Sequence, residues 1–188
     1  MEQLPSLEHH FLIAMPSLNG SWFEKSIIYI MEDNDHGTTG FVINSPQNFQ
    51  VQDLLDHFNF PHPENVPYLS QPILRGGPVD VEQGFIFHEP EGQWKSSVSL
   101  PDGLTMTFSD DFVEALSKSQ APSNFLICLG FSGWKPNQLA QEIQSNSWLT
   151  IPYNKNLLFD TPVHKKWQVA LETLGVSPEF LTLEAGHA

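Results

Sequence analysis

Cysteine is nearly missing from this chain. Cys128 is the only one in 188 residues, so no internal disulfide can staple the fold. Its neighbours, Phe125-Leu126-Ile127-Cys128-Leu129, are apolar, which points to a buried, inert thiol rather than a nucleophile. Positive charge is scarce as well: 8 Lys plus Arg stand against 22 Asp plus Glu, a formal net charge of -14. The basic residues are scattered, only Lys165 and Lys166 being adjacent. Such a field repels phosphate backbones, so direct nucleic-acid binding is disfavoured and the acidity is read as a source of solubility. No helix-turn-helix, zinc-finger pair or basic helix accompanies it. Long apolar runs are missing too, none approaching the ~20 residues that span a bilayer. The N-terminal stretch, with Glu2 and Glu8, lacks the basic region and apolar run of a signal peptide. The expectation is a cytoplasmic protein without membrane attachment.

What is present fits one domain over residues 1–188, with 40% hydrophobic residues to fill a core. Apolar runs rich in branched and aromatic residues predict strands near 10–15, 26–31, 39–44, 84–88, 96–100, 104–108, 124–130 and 148–152. Glu32-Asp33-Asn34-Asp35-His36-Gly37 predicts a hairpin turn. It is no calcium loop, because Ile43 falls where that loop needs its bidentate Glu. Helices are predicted over Val51–Phe58, from Ser109 with a stripe of Phe112, Val113 and Leu116, and over Pro136–Gln144. Another has Thr161 as its cap and Pro162 in its first turn, burying Val163, Trp167, Ala170, Leu171 and Leu174 and ending at Gly175. Four prolines between Pro61 and Pro72 make that stretch a loop. Strands followed by mixed helices and strands indicate an α+β fold.

Ordered motifs run along nearly the whole chain: Phe11-Leu12-Ile13-Ala14-Met15-Pro16, Gly40-Phe41-Val42-Ile43-Asn44, Gly76-Gly77-Pro78-Val79 and Gly84-Phe85-Ile86-Phe87-His88. Then come Leu129-Gly130-Phe131-Ser132-Gly133-Trp134, Trp148-Leu149, Phe159-Asp160-Thr161-Pro162 and Gly186-His187-Ala188. In order and spacing the chain resembles the AlgH/YqgE family of bacterial proteins. The resemblance implies a single α+β domain, a curled mixed β-sheet forming a barrel-like core flanked by helices, in a cytosolic protein. Family labels refer to regulation of alginate production and to transcriptional regulators. Lys25 stands where the family commonly has Arg, Asp33 where it has His, Thr38-Thr39 where it has Ala-Met, Phe108 where it has Thr, Asn137 where it has Gly and Ala140 where it has Glu. The Asp33 and Ala140 positions are therefore given no role.

Two glycine-rich corners, Gly76-Gly77-Pro78-Val79 and Gly130-Phe131-Ser132-Gly133-Trp134, are the candidate site. Paired glycines permit backbone angles or close approaches that a Cβ forbids. An amide, backbone N–H groups and an imidazole could receive a polar or anionic ligand. The candidate ligand-binding residues are thus Asn44, Gly76, Gly77, His88, Ser132 and Trp134. The plain structural alternative has Asn44 ending a strand, the glycines making a tight turn and His88 satisfying a buried carbonyl. Ser132 precedes Asp160 and then His164 or His187, the chain order of α/β-hydrolases. However, Trp134 occupies the flank where a nucleophile elbow needs glycine. His9-His10, His57 and His62 offer no metal spacing. Trp134, Trp148 and Trp167 read as packing residues, and Trp22-Phe23 as a partly exposed pair that could seed an interface. The resulting expectation is a non-enzymatic protein without metal or cofactor, acting through a protein or small-molecule partner, with any regulatory effect indirect. A hydrolase built on the glycine corners with Ser132 or His88 is the alternative.

Overall fold

Successive side chains of a strand point to opposite faces, so a strand buried at every position must be covered on both sides. Strand β1 (His10–Ala14) is such a strand from Phe11 onward. Phe11 and Ile13 enter one apolar cluster, while Leu12 and Ala14 enter another. In the computed structural model, which describes residues 5–181, the same division runs through the central strands of the sheet. Tyr29 of β2 (Ile27–Asn34), Phe41 of β3 (Gly37–Val42) and Phe87 of β6 (Val79–Glu89) share the inner cluster with Phe11. Each large apolar side chain fully buried there contributes roughly 1.5–3 kcal/mol. The reverse face is split in two. Helices α1 (Val51–His57) and α2 (Asp111–Ser117) cover Ile86, Phe125 and Ile127, while α3 (Gln138–Gln144) covers Ile28, Val42, Trp134 and Trp148.

The remaining strands are β4 (Pro46–Gln50), β5 (Pro72–Arg75), β7 (Ser97–Ser99), β8 (Thr105–Thr107), β9 (Asn124–Trp134) and β10 (Trp148–Pro152). The sheet runs β10-β1-β2-β3-β9-β6-β8-β7, with β4 and β5 branching from it. Every pairing is antiparallel except that of β5 with β9. Strand β9 is the joint. Its first half pairs with β6, Leu74 and Arg75 of β5 join at Cys128 and Leu129, and its last three residues pair with β3. The result is the expected α+β architecture, a curled, mostly antiparallel half-barrel sheet with a few helices. Helix α4 (Lys166–Thr173) closes the inner face with Ala170 and Leu171, whereas Leu174, expected on the same stripe, falls just past the helix end and is exposed. No helix among the described residues is long and apolar enough to cross a membrane.

Three local expectations are corrected. Ser132 lies inside β9 instead of after it, because the strand continues through Gly130 to Trp134. Thr161 does not cap α4. Its hydroxyl donates to Asn156 O (2.9 Å) and closes a wide π-type turn, Asn156–Asp160; Val163–Lys165 forms a tight turn, and α4 starts only at Lys166. Helix α3 starts at Gln138 because Asn137 holds a left-handed backbone, φ 65°. That conformation suits the glycine usual there in the family, and asparagine tolerates it. The Gly186-His187-Ala188 motif, with His187 as a candidate triad member, lies outside the described residues.

Candidate functional site

The two glycine corners meet. Gly76 N donates to Leu129 O (2.8 Å), and Gly76 O accepts both Val42 N (2.8 Å) and the Ser132 hydroxyl (3.2 Å). A Cβ on Gly77 would overlap the Phe131 carbonyl. One on Gly130, at φ +75°, would lie 2.6 Å from Gly77 O. The glycines let the chain leaving β5 cross β9 at backbone contact where β9 passes from β6 to β3. Ser132 is buried with its hydroxyl aimed at that crossing. Asn44 sits beside it, but its amide turns away: Oδ1 accepts Ile27 N (2.8 Å) and Nδ2 donates to Lys25 O (2.9 Å).

The other two candidates lie elsewhere. His88 pairs with Phe125, five residues along β9 from Gly130, or ~16 Å at 3.3 Å per residue. It is fully buried. Its Nδ1–H donates to Pro90 O (3.1 Å), which leaves Nε2 to accept the Thr107 hydroxyl (2.7 Å). Burial, only partly opposed by the Pro90 carbonyl and Glu91, holds the imidazole below its ordinary pKa, so it is neutral. Trp134 is buried on the reverse face; its indole N–H and that of Trp148 both donate to Glu142 Oε2 (3.0 and 2.8 Å). Burial pushes the Cys128 thiol up to about 12, which makes it inert at neutral pH. Trp22 is 38% exposed under the Arg75 guanidinium, 5.1 Å from its ring centre.

One arrangement was not anticipated. Between the start of β9, β5 and the wide turn Asn156–Asp160 lies a cleft of about 260 Å³. Leu74, Leu126, Phe159, Pro162 and Val163 supply apolar wall, and Gln71, Ser123, Asn124, Asp160, Thr161 and Lys166 supply polar lining. Lys166 is only 1% exposed. Its Nζ donates to Leu158 O (2.6 Å), its one acceptor among the described residues, and no carboxylate among them pairs with it. Burial lowers its pKa from 10.5 to about 8, a shift the neighbouring Cys128 opposes. The sequence carried a signal for this burial: Lys166 is three residues after Val163 and four before Ala170, on the apolar stripe of the helix.

A second polar group joins β1, β2 and the segment before β8. His9 Nε2–H donates to Asp102 Oδ2 (2.9 Å), and its Nδ1 accepts the Tyr29 hydroxyl (2.9 Å). The ring stacks on Tyr153 at 4.1 Å. Burial first, then Tyr153 and acidic groups for Tyr29 and acidic groups alone for Tyr153, raise both phenols above their ordinary range, so they stay neutral. These groups mostly satisfy one another, and no cluster of three His, Cys, Asp or Glu suited to a metal occurs among the described residues.

The curled, mostly antiparallel sheet with its backbone crossing defines the class, a small α+β protein. Comparison with known proteins gives the family. Residues 11–179 match the AlgH-like family model, and the chain belongs to that family. It is 60% identical over 189 residues, covering the whole of both chains, to a UPF0301 protein of Hydrogenovibrio crunogenus. It is 43% identical to one of Idiomarina loihiensis, over 97% of this chain and 99% of the other. The solution structure of the AlgH protein from Pseudomonas aeruginosa superposes with a TM-score of 0.75 at 35% identity, covering 100% of this chain and 99% of that one. A Corynebacterium diphtheriae protein at 21% identity and TM-score 0.70, covering 92% and 90%, shares the fold.

Proposed function

We propose that this chain is a non-enzymatic bacterial cytosolic protein that binds a small ligand in the cleft beside Lys166, with any regulatory effect exerted through that binding and not through DNA contact. One observation carries the reading. A buried ammonium with a single neutral acceptor among the described residues lines a cleft, while Ser132, His88 and Cys128 are engaged within the fold. Ser132 donates to a backbone carbonyl, His88 is buried and neutral, and Cys128 is buried and protonated. Nothing in this geometry favours the hydrolase alternative. A net charge of -14 with scattered basic residues supports an indirect effect on transcription over duplex binding. Native mass spectrometry of protein purified gently from its own host tests the reading. The expected result is a non-covalent small-molecule adduct; a bare chain at its sequence mass counts against it.

A further inference from the structure

Lys166 presents an electrostatic imbalance inside the fold. The side chain leaves the start of α4 and reaches Leu158 O in the wide turn, one neutral oxygen among the described residues for a group with three N–H donors. A buried ammonium is ordinarily balanced by a carboxylate or several acceptors, because water is no longer available to it. A methionine on this helix face would fill similar volume without that penalty. Cys128 is the titratable group on β9 that faces Lys166, and its thiol is protonated and supplies no charge. The cleft that Lys166 lines is where a ligand could supply that counter-charge.

The lining narrows the choice of ligand. Leu74, Leu126, Phe159 and Val163 offer an apolar body-sized wall, and Asn124 and Ser123 add neutral polar groups. A volume of about 260 Å³ accommodates about eight non-hydrogen atoms, taking ~30 Å³ for each water-sized group. Asp160 also lines the cleft and repels a second negative charge, which disfavours phosphate and dicarboxylates. The chain's overall negative field acts over distances that salt screens beyond about 8 Å, so inside the cleft the ammonium dominates.

Resting on the binding-protein reading above, we infer that the cleft holds a small monocarboxylate with an apolar body, its carboxylate on Lys166 Nζ and its body against Leu126 and Val163. Titrating the full-length chain with hexanoate and with its neutral counterpart hexanamide, followed by amide NMR, tests this directly. Hexanoate is expected to shift the Leu126 and Val163 amides and to bind at least about tenfold more tightly than hexanamide. Lys166→Met should lose that preference without lowering its thermal midpoint, and Lys166→Arg should retain it. Should Lys166→Met fail to fold, the hexanoate–hexanamide comparison on the native chain still decides. Equal binding of the two compounds in the cleft overturns the carboxylate assignment and leaves the binding-protein reading standing. The same split follows if the cleft amides ignore hexanoate while host-purified protein carries a different ligand. No shift by either compound, together with a bare host-purified chain, overturns both.

Discussion

Replacing Lys166 by methionine separates a buried ammonium kept for a ligand from one that merely caps a turn. The folded-state pKa of about 8 against an ordinary 10.5 means that the folded chain is destabilised by about 3 kcal/mol at neutral pH. The sign follows from proton counting. Between those two values the unfolded lysine holds a proton that the folded one has released, so stability rises with pH. The slope approaches about 1.4 kcal/mol per pH unit within that window. Above pH ~10 the trend is opposed by Tyr29 and Tyr153, whose phenols ionise more readily once unfolded, so the clean range is about pH 7 to 9.5. Methionine removes the burial penalty and also the bond to Leu158 O, which as a charged hydrogen bond contributes about 1.5–3 kcal/mol. The expected net change at pH 7 is therefore small, a gain of about 1 kcal/mol, and the rise toward alkaline pH disappears. Urea unfolding followed by tryptophan fluorescence at several pH values measures both. A native chain flat across that range, with Lys166→Met losing more than about 2 kcal/mol, would refute the reasoning and make Lys166 a structural cap.

Gly77→Ala forces a Cβ into the Phe131 carbonyl and should destabilise by more than about 3 kcal/mol or prevent folding, read by thermal melting. Ser132→Ala removes one buried hydrogen bond to Gly76 O and should lower stability by only about 1 kcal/mol; correspondingly, a serine-directed fluorophosphonate should leave the native chain unlabelled. Glu142→Ala strips the shared acceptor from the Trp134 and Trp148 indoles, and a loss of about 2–4 kcal/mol in urea unfolding is expected. Cys128 should resist a disulfide-exchange reagent in the native state and react once unfolded, which a thiol titration at neutral pH measures.

Much of the fold was legible because its strands are apolar runs covered on both faces. Phe11-Leu12-Ile13-Ala14 and Phe125-Leu126-Ile127-Cys128 admit few other readings. Strand β4 escaped notice because Pro46-Gln47-Asn48-Phe49-Gln50 is polar and half exposed, and β5 because four residues opening on Pro72 carry little pattern. Gly130 was read as a corner since glycine at positive φ usually ends a strand; here β9 continues past it to meet β3. Neither the meeting of the glycine corners nor its purpose was readable, because the corners lie more than fifty residues apart in sequence. A glycine required by backbone contact and one required by a ligand look identical in sequence. Lys166 was legible only in part. Helical spacing places it on the buried stripe, whereas its lone acceptor and the cleft beside it arise from the Asn156–Asp160 turn and β9, elements distant in sequence.

The most direct test of ligand binding at Lys166 is native mass spectrometry of the wild-type chain and Lys166→Met, each purified gently from the same host. The account predicts a small-molecule adduct on the wild type that is absent from a folded Lys166→Met. Adducts of equal mass and abundance on both, or bare chains in both, would contradict it.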